Sequence, residues 1–158
     1  MNNKIINEKY RTLYKIKEGV IMYIIFGEEI VDSDEIREII KENSDFIVDR
    51  DMSKGTKRED VVAYQLSIPV SILNEELKHD YDLDEMSEEE LFEEYITLSE
   101  EMAIELQDFM PKHSLVNSIS YKWDNSHDVI KTVFTVAYIG LGQLKLNDVS
   151  RRLLNELD

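Results

Sequence analysis

The sequence predicts a single α+β domain over residues 1–158: a mainly antiparallel sheet of about four or five strands, with one long acidic helix on a face and shorter helices around it. Two kinds of periodicity lead there. Residues 61–70, 115–123 and 129–141 alternate with period two, as half-buried strands do, whereas residues 87–110 repeat at helical spacing. A hydrophobic content of 42 % over 158 residues suits one compact core.

In chain order, residues 3–17 place Ile6, Tyr10, Leu13 and Tyr14 at helical spacing, with Lys4, Lys9, Arg11, Lys15 and Lys17 on the other faces. This reads as a basic amphipathic helix. Residues 20–26, β-branched and aromatic and closed by Gly27, suit a buried strand. Asp32 with Glu35 is a capping signature, and Ile36, Ile39 and Ile40 give residues 33–43 a narrow apolar stripe, which predicts a short surface helix. Residues 46–48 suit a brief strand and residues 49–60 a hairpin or loop. Lys54, Gly55, Thr56 and Lys57 lack the spacing of a phosphate-binding P-loop, so they read as a turn.

The strand at 61–70 ends at Pro69, which cannot donate to a ladder and belongs at an edge or a strand terminus. Ser71 is a candidate cap for a helix over 72–78. Farther on, the turn formers Asp124, Asn125, Ser126, His127 and Asp128 lie between two alternating runs, which makes a β-hairpin. Tyr121 and Trp123 near its tip are either packing residues or anchors for a partner. Asn147 or Asp148 is expected to open a last helix that buries Val149, Leu153, Leu154 and Leu157.

Charge is concentrated in one place. The chain has 34 acids and 18 bases, a net charge of −16. Thirteen of the acids, and no Lys or Arg, fall between Asp80 and Asp108; outside that stretch 21 acids face 18 bases. Ser87 and Glu90 form a capping box, acids crowd the positive end of the helix dipole, and Pro111 stops the helix, which is expected over residues 87–110. Leu91, Phe92, Tyr95, Ile96, Leu98, Met102, Ala103, Leu106, Phe109 and Met110 fall in one arc, the expected core face. Glu90, Glu93, Glu94, Glu100, Glu101, Glu105 and Asp108 take the opposite arc, with Thr97 and Ile104 among them. Either this face is solvated only, or it is presented to a basic partner, since no interspersed Lys relieves its repulsion.

Catalytic patterns are lacking. There is no cysteine, no G-x-S-x-G elbow and no metal-ligand spacing among His79, His113 and His127. Asp80, Asp82 and Asp84 imitate the start of a calcium loop, but Glu85 and Leu91 stand where Gly and Glu are required. Gly140 and Gly142 lack the third glycine of a dinucleotide site and read as a strand break. The expectations are therefore no enzyme, no cofactor and no metal. The acidic balance argues against direct binding to nucleic acid or anionic membrane. The longest apolar run, residues 20–26, is far short of a membrane span, and a cytoplasmic location is expected.

In size, charge and lack of catalytic apparatus the chain resembles small acidic inhibitors of phages and mobile elements, anti-restriction and anti-CRISPR proteins among them, and nuclease-immunity proteins. That resemblance implies a basic protein partner, a nucleic-acid-binding enzyme whose groove the acidic face would occupy. Glu90, Glu93, Glu94, Glu100, Glu101, Ile104, Glu105 and Asp108 are the candidate partner-binding residues, with charges about 6 to 10 Å apart, the scale of phosphates along a strand. The alternative is an assembly protein that forms a homo-oligomer through its hairpin edge, its acidic helix serving solubility.

Overall fold

A computed structural model of the chain describes residues 23–157. The expected basic helix at 3–17 and the first part of the 20–26 strand lie outside the described residues.

The architecture is α+β, with six strands in two antiparallel sheets. Strands β1 (Tyr23–Phe26) and β2 (Glu29–Asp32) make a hairpin of their own. Its turn needs a glycine: Gly27 has φ +62°, and a Cβ there would meet the Tyr138 ring at 3.2 Å. Asp32 caps helix α1 (Ser33–Asn43), accepting from the Asp34 N–H at 2.8 Å, and the helix has the bounds expected from its stripe. Strand β3 (Ile47–Asp51) is longer than expected and is followed by a 3₁₀ turn at Ser53–Thr56. There the Thr56 hydroxyl is buried on the Ser53 carbonyl at 2.7 Å, so the Lys54–Lys57 stretch is a folded turn.

Strand β4 (Val61–Pro69) runs straight into helix α2 (Val70–Leu77). Ser71 does not cap it. Pro69 stands at the cap position, its φ of −60° suiting a helix entrance, and the Val70 N–H goes instead to the Asp128 carbonyl at 3.0 Å. The long acidic helix α3 (Glu88–Ile104) tightens into a 3₁₀ turn at Glu105–Phe109, so the region expected as one helix over 87–110 is helical in two windings. The hairpin of β5 (Ser114–Asp124) and β6 (Val129–Tyr138) follows, then helix α4 (Gln143–Asn155). Helix α4 starts at Gln143 rather than at Asn147 or Asp148. Its cap is Gly142 at φ +86°, a backbone cap that a search for polar side chains misses.

The main sheet has the order β3-β4-β6-β5. Both faces are covered, which is why nearly every residue of β4 and β6 is buried. On one face Val62, Tyr64, Leu66, Ile68, Ile130, Phe134 and Val136 meet α1, α2 and α3. Tyr64 is fully buried and donates its hydroxyl to the Ser33 carbonyl, joining the sheet to the start of α1. On the other face Val61, Ala63, Val133 and Ala137 meet Leu146, Val149 and Leu153 of α4.

The face that α3 chooses on β5 is the hydroxyl one. Val116, Ser118 and Ser120 are buried beneath α3, whereas Leu115 and Tyr121 pack toward α4. A register shift between Ser120 and Lys122 makes Tyr121 the extra residue of a bulge, and the phase of the strand flips past it. Trp123 therefore leaves the side of Tyr121 and packs edge-on against Tyr95 of α3, ring centroids 5.1 Å apart. Both aromatics are packing residues: the Tyr121 hydroxyl also accepts from Gln65 Nε2 at 2.7 Å.

Candidate functional site

The acidic face is built from α3 outward. Ser87 Oγ accepts from the Glu90 N–H at 3.2 Å while the Ser87 N–H donates to Glu90 Oε2 at 3.4 Å, the reciprocal pair expected of the capping box. Helix α3 then presses a stripe of Tyr95, Ser99 and Ala103, continued by Leu106, onto the sheet. Ser99 Oγ pairs with Ser120 Oγ at 2.6 Å, and Ser120 Oγ with Thr132 Oγ1 at 2.8 Å. Small side chains at Ser99 and Ala103 let the helix backbone come close. The Ser118 hydroxyl reaches the Glu100 carbonyl at 3.0 Å.

This stripe is narrower than the apolar arc expected for the core. Phe92 is 36 % exposed and Phe109 51 %, so both leave the core face assigned to them. Leu91, Ile96, Leu98 and Met102 are half-buried along its flanks. The reason is the close central contact through Ala103 and through Ser99, a residue outside the expected arc, which sets the rotation of the helix.

The candidate carboxylates separate into two groups. Three are engaged with the protein itself. Glu90 closes the capping box. Half-buried Glu94 accepts from the Tyr81 hydroxyl at 3.3 Å. Half-buried Glu100 turns toward the sheet, where Oε1 accepts from the Ser120 N–H at 3.0 Å beside the β5 bulge. Glu93, Glu101, Glu105 and Asp108 are exposed, and Ile104 among them is 47 % exposed. At about 1.5 Å of rise per residue, Glu93 and Glu101 stand about 12 Å apart along the axis, and Glu101 and Glu105 about 6 Å. Among the described residues no Lys or Arg forms a salt bridge with a carboxylate of residues 88–108.

The electrostatics differ between the two ends. Glu88, Glu89 and Glu90 lie in the first turn, where the helix dipole favours them, but the last turn has no base. Glu101, Glu105 and Asp108 thus stand near the negative end of the dipole, against its preference. Tyr81 reports the local field. The Glu94 carboxylate beside it, and its hydrogen bond, push the phenol above its ordinary range.

Asp80, Asp82 and Asp84 approach the helix from an exposed segment in which Asp82 caps its own turn, its Oδ1 taking the Asp84 N–H at 3.2 Å. No group of three metal-ligating side chains gathers among the described residues, and no helix there is long and apolar enough to cross a membrane. Tyr81 is a participant at this face that the sequence patterns do not single out, and Phe109, expected in the core, stands exposed beside the face. Alternation and helical period carry no signal for a tyrosine that reaches back from a preceding loop. Comparison with family models, curated proteins and solved structures finds no match to this chain.

Two expected outcomes test this division. Glu100→Ala costs about 1 to 2 kcal/mol in urea unfolding, a charge-assisted bond discounted for partial exposure, and speeds hydrogen exchange at the Ser120 amide; Glu101→Ala stays within about 0.5 kcal/mol of the parent. In a site-resolved ¹³C titration, Tyr81 loses its proton above the ordinary tyrosine value, and Glu94→Gln brings the midpoint back down.

Proposed function

We propose that the chain is a protein-binding module whose acidic face occupies the basic, nucleic-acid-binding surface of an enzyme and thereby inhibits or neutralises it. The class would be that of anti-restriction, anti-CRISPR or nuclease-immunity proteins. The observation that carries this reading is the placement of Glu101, Glu105 and Asp108. They are exposed, unpaired among the described residues, and set at the helix end that disfavours negative charge. A surface needed only for solvation gains nothing from that arrangement, since interspersed lysines would solvate equally and relieve the repulsion.

The row of Glu93, Glu101, Glu105 and Asp108 is the recognition edge, and Ile104 supplies an apolar contact within it. Glu90, Glu94 and Glu100 support the row by fixing the helix and its approaches. Electrostatic steering then gives fast association that weakens with salt. The alternative, a homo-oligomer paired edge to edge, finds less support in the two outer strands. β5 has one outer N–H taken by Glu100, and β3 is short, bulged between Val48 and Arg50, and charged at Asp49, Arg50 and Asp51.

The test joins capture to displacement. Tagged protein is incubated with nuclease-treated host lysate, and the protein retained at low salt is isolated and loaded with a labelled nucleic acid. The expected result is a basic nucleic-acid enzyme that elutes at high salt and releases its labelled ligand when this chain is added. Glu93→Lys, Glu101→Lys and Glu105→Lys together abolish both effects. Recovery of the bait alone, or equal capture by the reversed variant, contradicts the proposal.

A further inference from the structure

A small cleft lies where the end of α1 meets the end of the acidic helix. It has a volume of about 220 Å³ and is lined by Asn43, Ser44, Asp45, Phe46, Met102, Glu105, Leu106 and Phe109. Small-molecule sites run to roughly 300–1,000 Å³, so this one has room for a single side chain. Its floor is apolar: Phe46 and Leu106 are buried and Met102 is half-buried, while Phe109 stands 51 % exposed at the side. Asp45 and Glu105 are exposed at the rim.

The hydrogen-bonding capacity of the lining is one-sided. Asn43 donates Nδ2 to the Ile39 carbonyl at 2.8 Å, and the Ser44 hydroxyl donates to the Ile40 carbonyl at 2.6 Å while accepting from the Phe46 N–H. The Ser44 donor is thus committed within the end of α1, and Asn43 keeps one N–H of its amide. Asp45 and Glu105 offer acceptors only, and neither carboxylate has a partner among the described residues. A neutral amide or a hydroxyl would bring an acceptor for which the lining side chains hold only the second Asn43 N–H. A planar cation with donors all round and no acceptor meets the lining on every side, since guanidinium stacks on aromatic faces and forks onto carboxylates.

We propose that this cleft is a receptor for one arginine side chain of the basic partner, with Phe109 and Met102 against the guanidinium plane and Asp45 and Glu105 taking its N–H groups. The inference rests on the reading of the acidic face as a protein-binding surface, and supplies it with a specific anchor at the end of the carboxylate row. An arginine held in a cleft fixes register, which a row of exposed charges cannot do by itself.

The probe is N-acetyl-arginine amide, titrated into the full chain labelled with ¹⁵N and at the methionine methyls, beside N-acetyl-citrulline amide as the neutral isostere. Saturable shifts are expected at the Met102 methyl and at the amides of Asp45, Glu105 and Phe109. Citrulline binds at least tenfold more weakly, and so does arginine to the folded double variant Asp45→Asn, Glu105→Gln. Phe109→Ala, which removes an exposed ring, lowers arginine affinity without changing the rest of the spectrum. Shifts equal to those at Glu93 and Glu101, equal response to citrulline, or full binding by the double variant would overturn the proposal. No partner protein enters the titration, so its failure leaves capture by the carboxylate row standing, and the variant Glu93→Lys, Glu101→Lys, which spares Glu105 in the cleft, keeps the arginine shifts even where it loses capture.

Discussion

Close contact between α3 and the sheet, made through hydroxyls, is the constraint on which the rest of the structure depends. A serine or threonine buried without a partner costs on the order of 1–3 kcal/mol. Ser99, Ser120 and Thr132 avoid that cost by bonding one another in a chain across helix and sheet. The same small side chains bring the helix backbone down to β5, where the Ser118 hydroxyl finds the Glu100 carbonyl. Tyr95 locks one end of the contact, its ring against Trp123 and its hydroxyl on Asn74 Oδ1 at 2.6 Å. Leu106 closes the other end within the core.

Fixing the rotation of α3 in this way decides which carboxylates look outward. Glu100 is carried to the edge of β5 and becomes part of the fold, whereas Glu93, Glu101, Glu105 and Asp108 are left in solvent. The charged row therefore has a rigid base: a four-stranded sheet with apolar packing on both faces, α4 on the side opposite α3. Repulsion between neighbours such as Glu101 and Glu105 is a few tenths of a kcal/mol per pair, roughly 0.2 to 0.5. Burial of a side chain such as Tyr95 or Leu106 is worth about 2 kcal/mol or more. Packing wins by a wide margin, so the chain can hold an unrelieved row of acids.

Much of this was legible beforehand because it rests on local signals. Asp32 and the isoleucines of α1 mark that helix at both ends, Ser87 with Glu90 marks the start of α3, and the run from Asp124 to Asp128 marks the hairpin turn. What could not be read depends on tertiary context. The bulge at Tyr121 separates it from Trp123, and no pattern within β5 announces it, because alternation looks unbroken in one dimension. The α3 face was misjudged at its edges for a related reason: hydrophobicity ranks Phe92 and Phe109 above Ser99, but close approach to a row of hydroxyls selects the small polar residue. Gly142 hid the start of α4, since a backbone cap leaves no polar side chain to find. Of the candidate site, the identity of the carboxylates was legible and their roles were not. Whether Glu100 faces a partner or a strand edge depends on where β5 lies.

The central claim is that Glu93, Glu101 and Glu105 contribute nothing to holding the fold, which leaves them free to meet a partner. Urea unfolding of the triple variant Glu93→Gln, Glu101→Gln, Glu105→Gln beside the parent, at low and at high salt, tests it most directly. The expected variant is as stable as the parent or more so, by up to about 1 kcal/mol at low salt, with the gap closing at high salt as screening removes the repulsion. A variant less stable than the parent by more than about 1 kcal/mol would show that these carboxylates are part of the structure's own support, and would contradict the account.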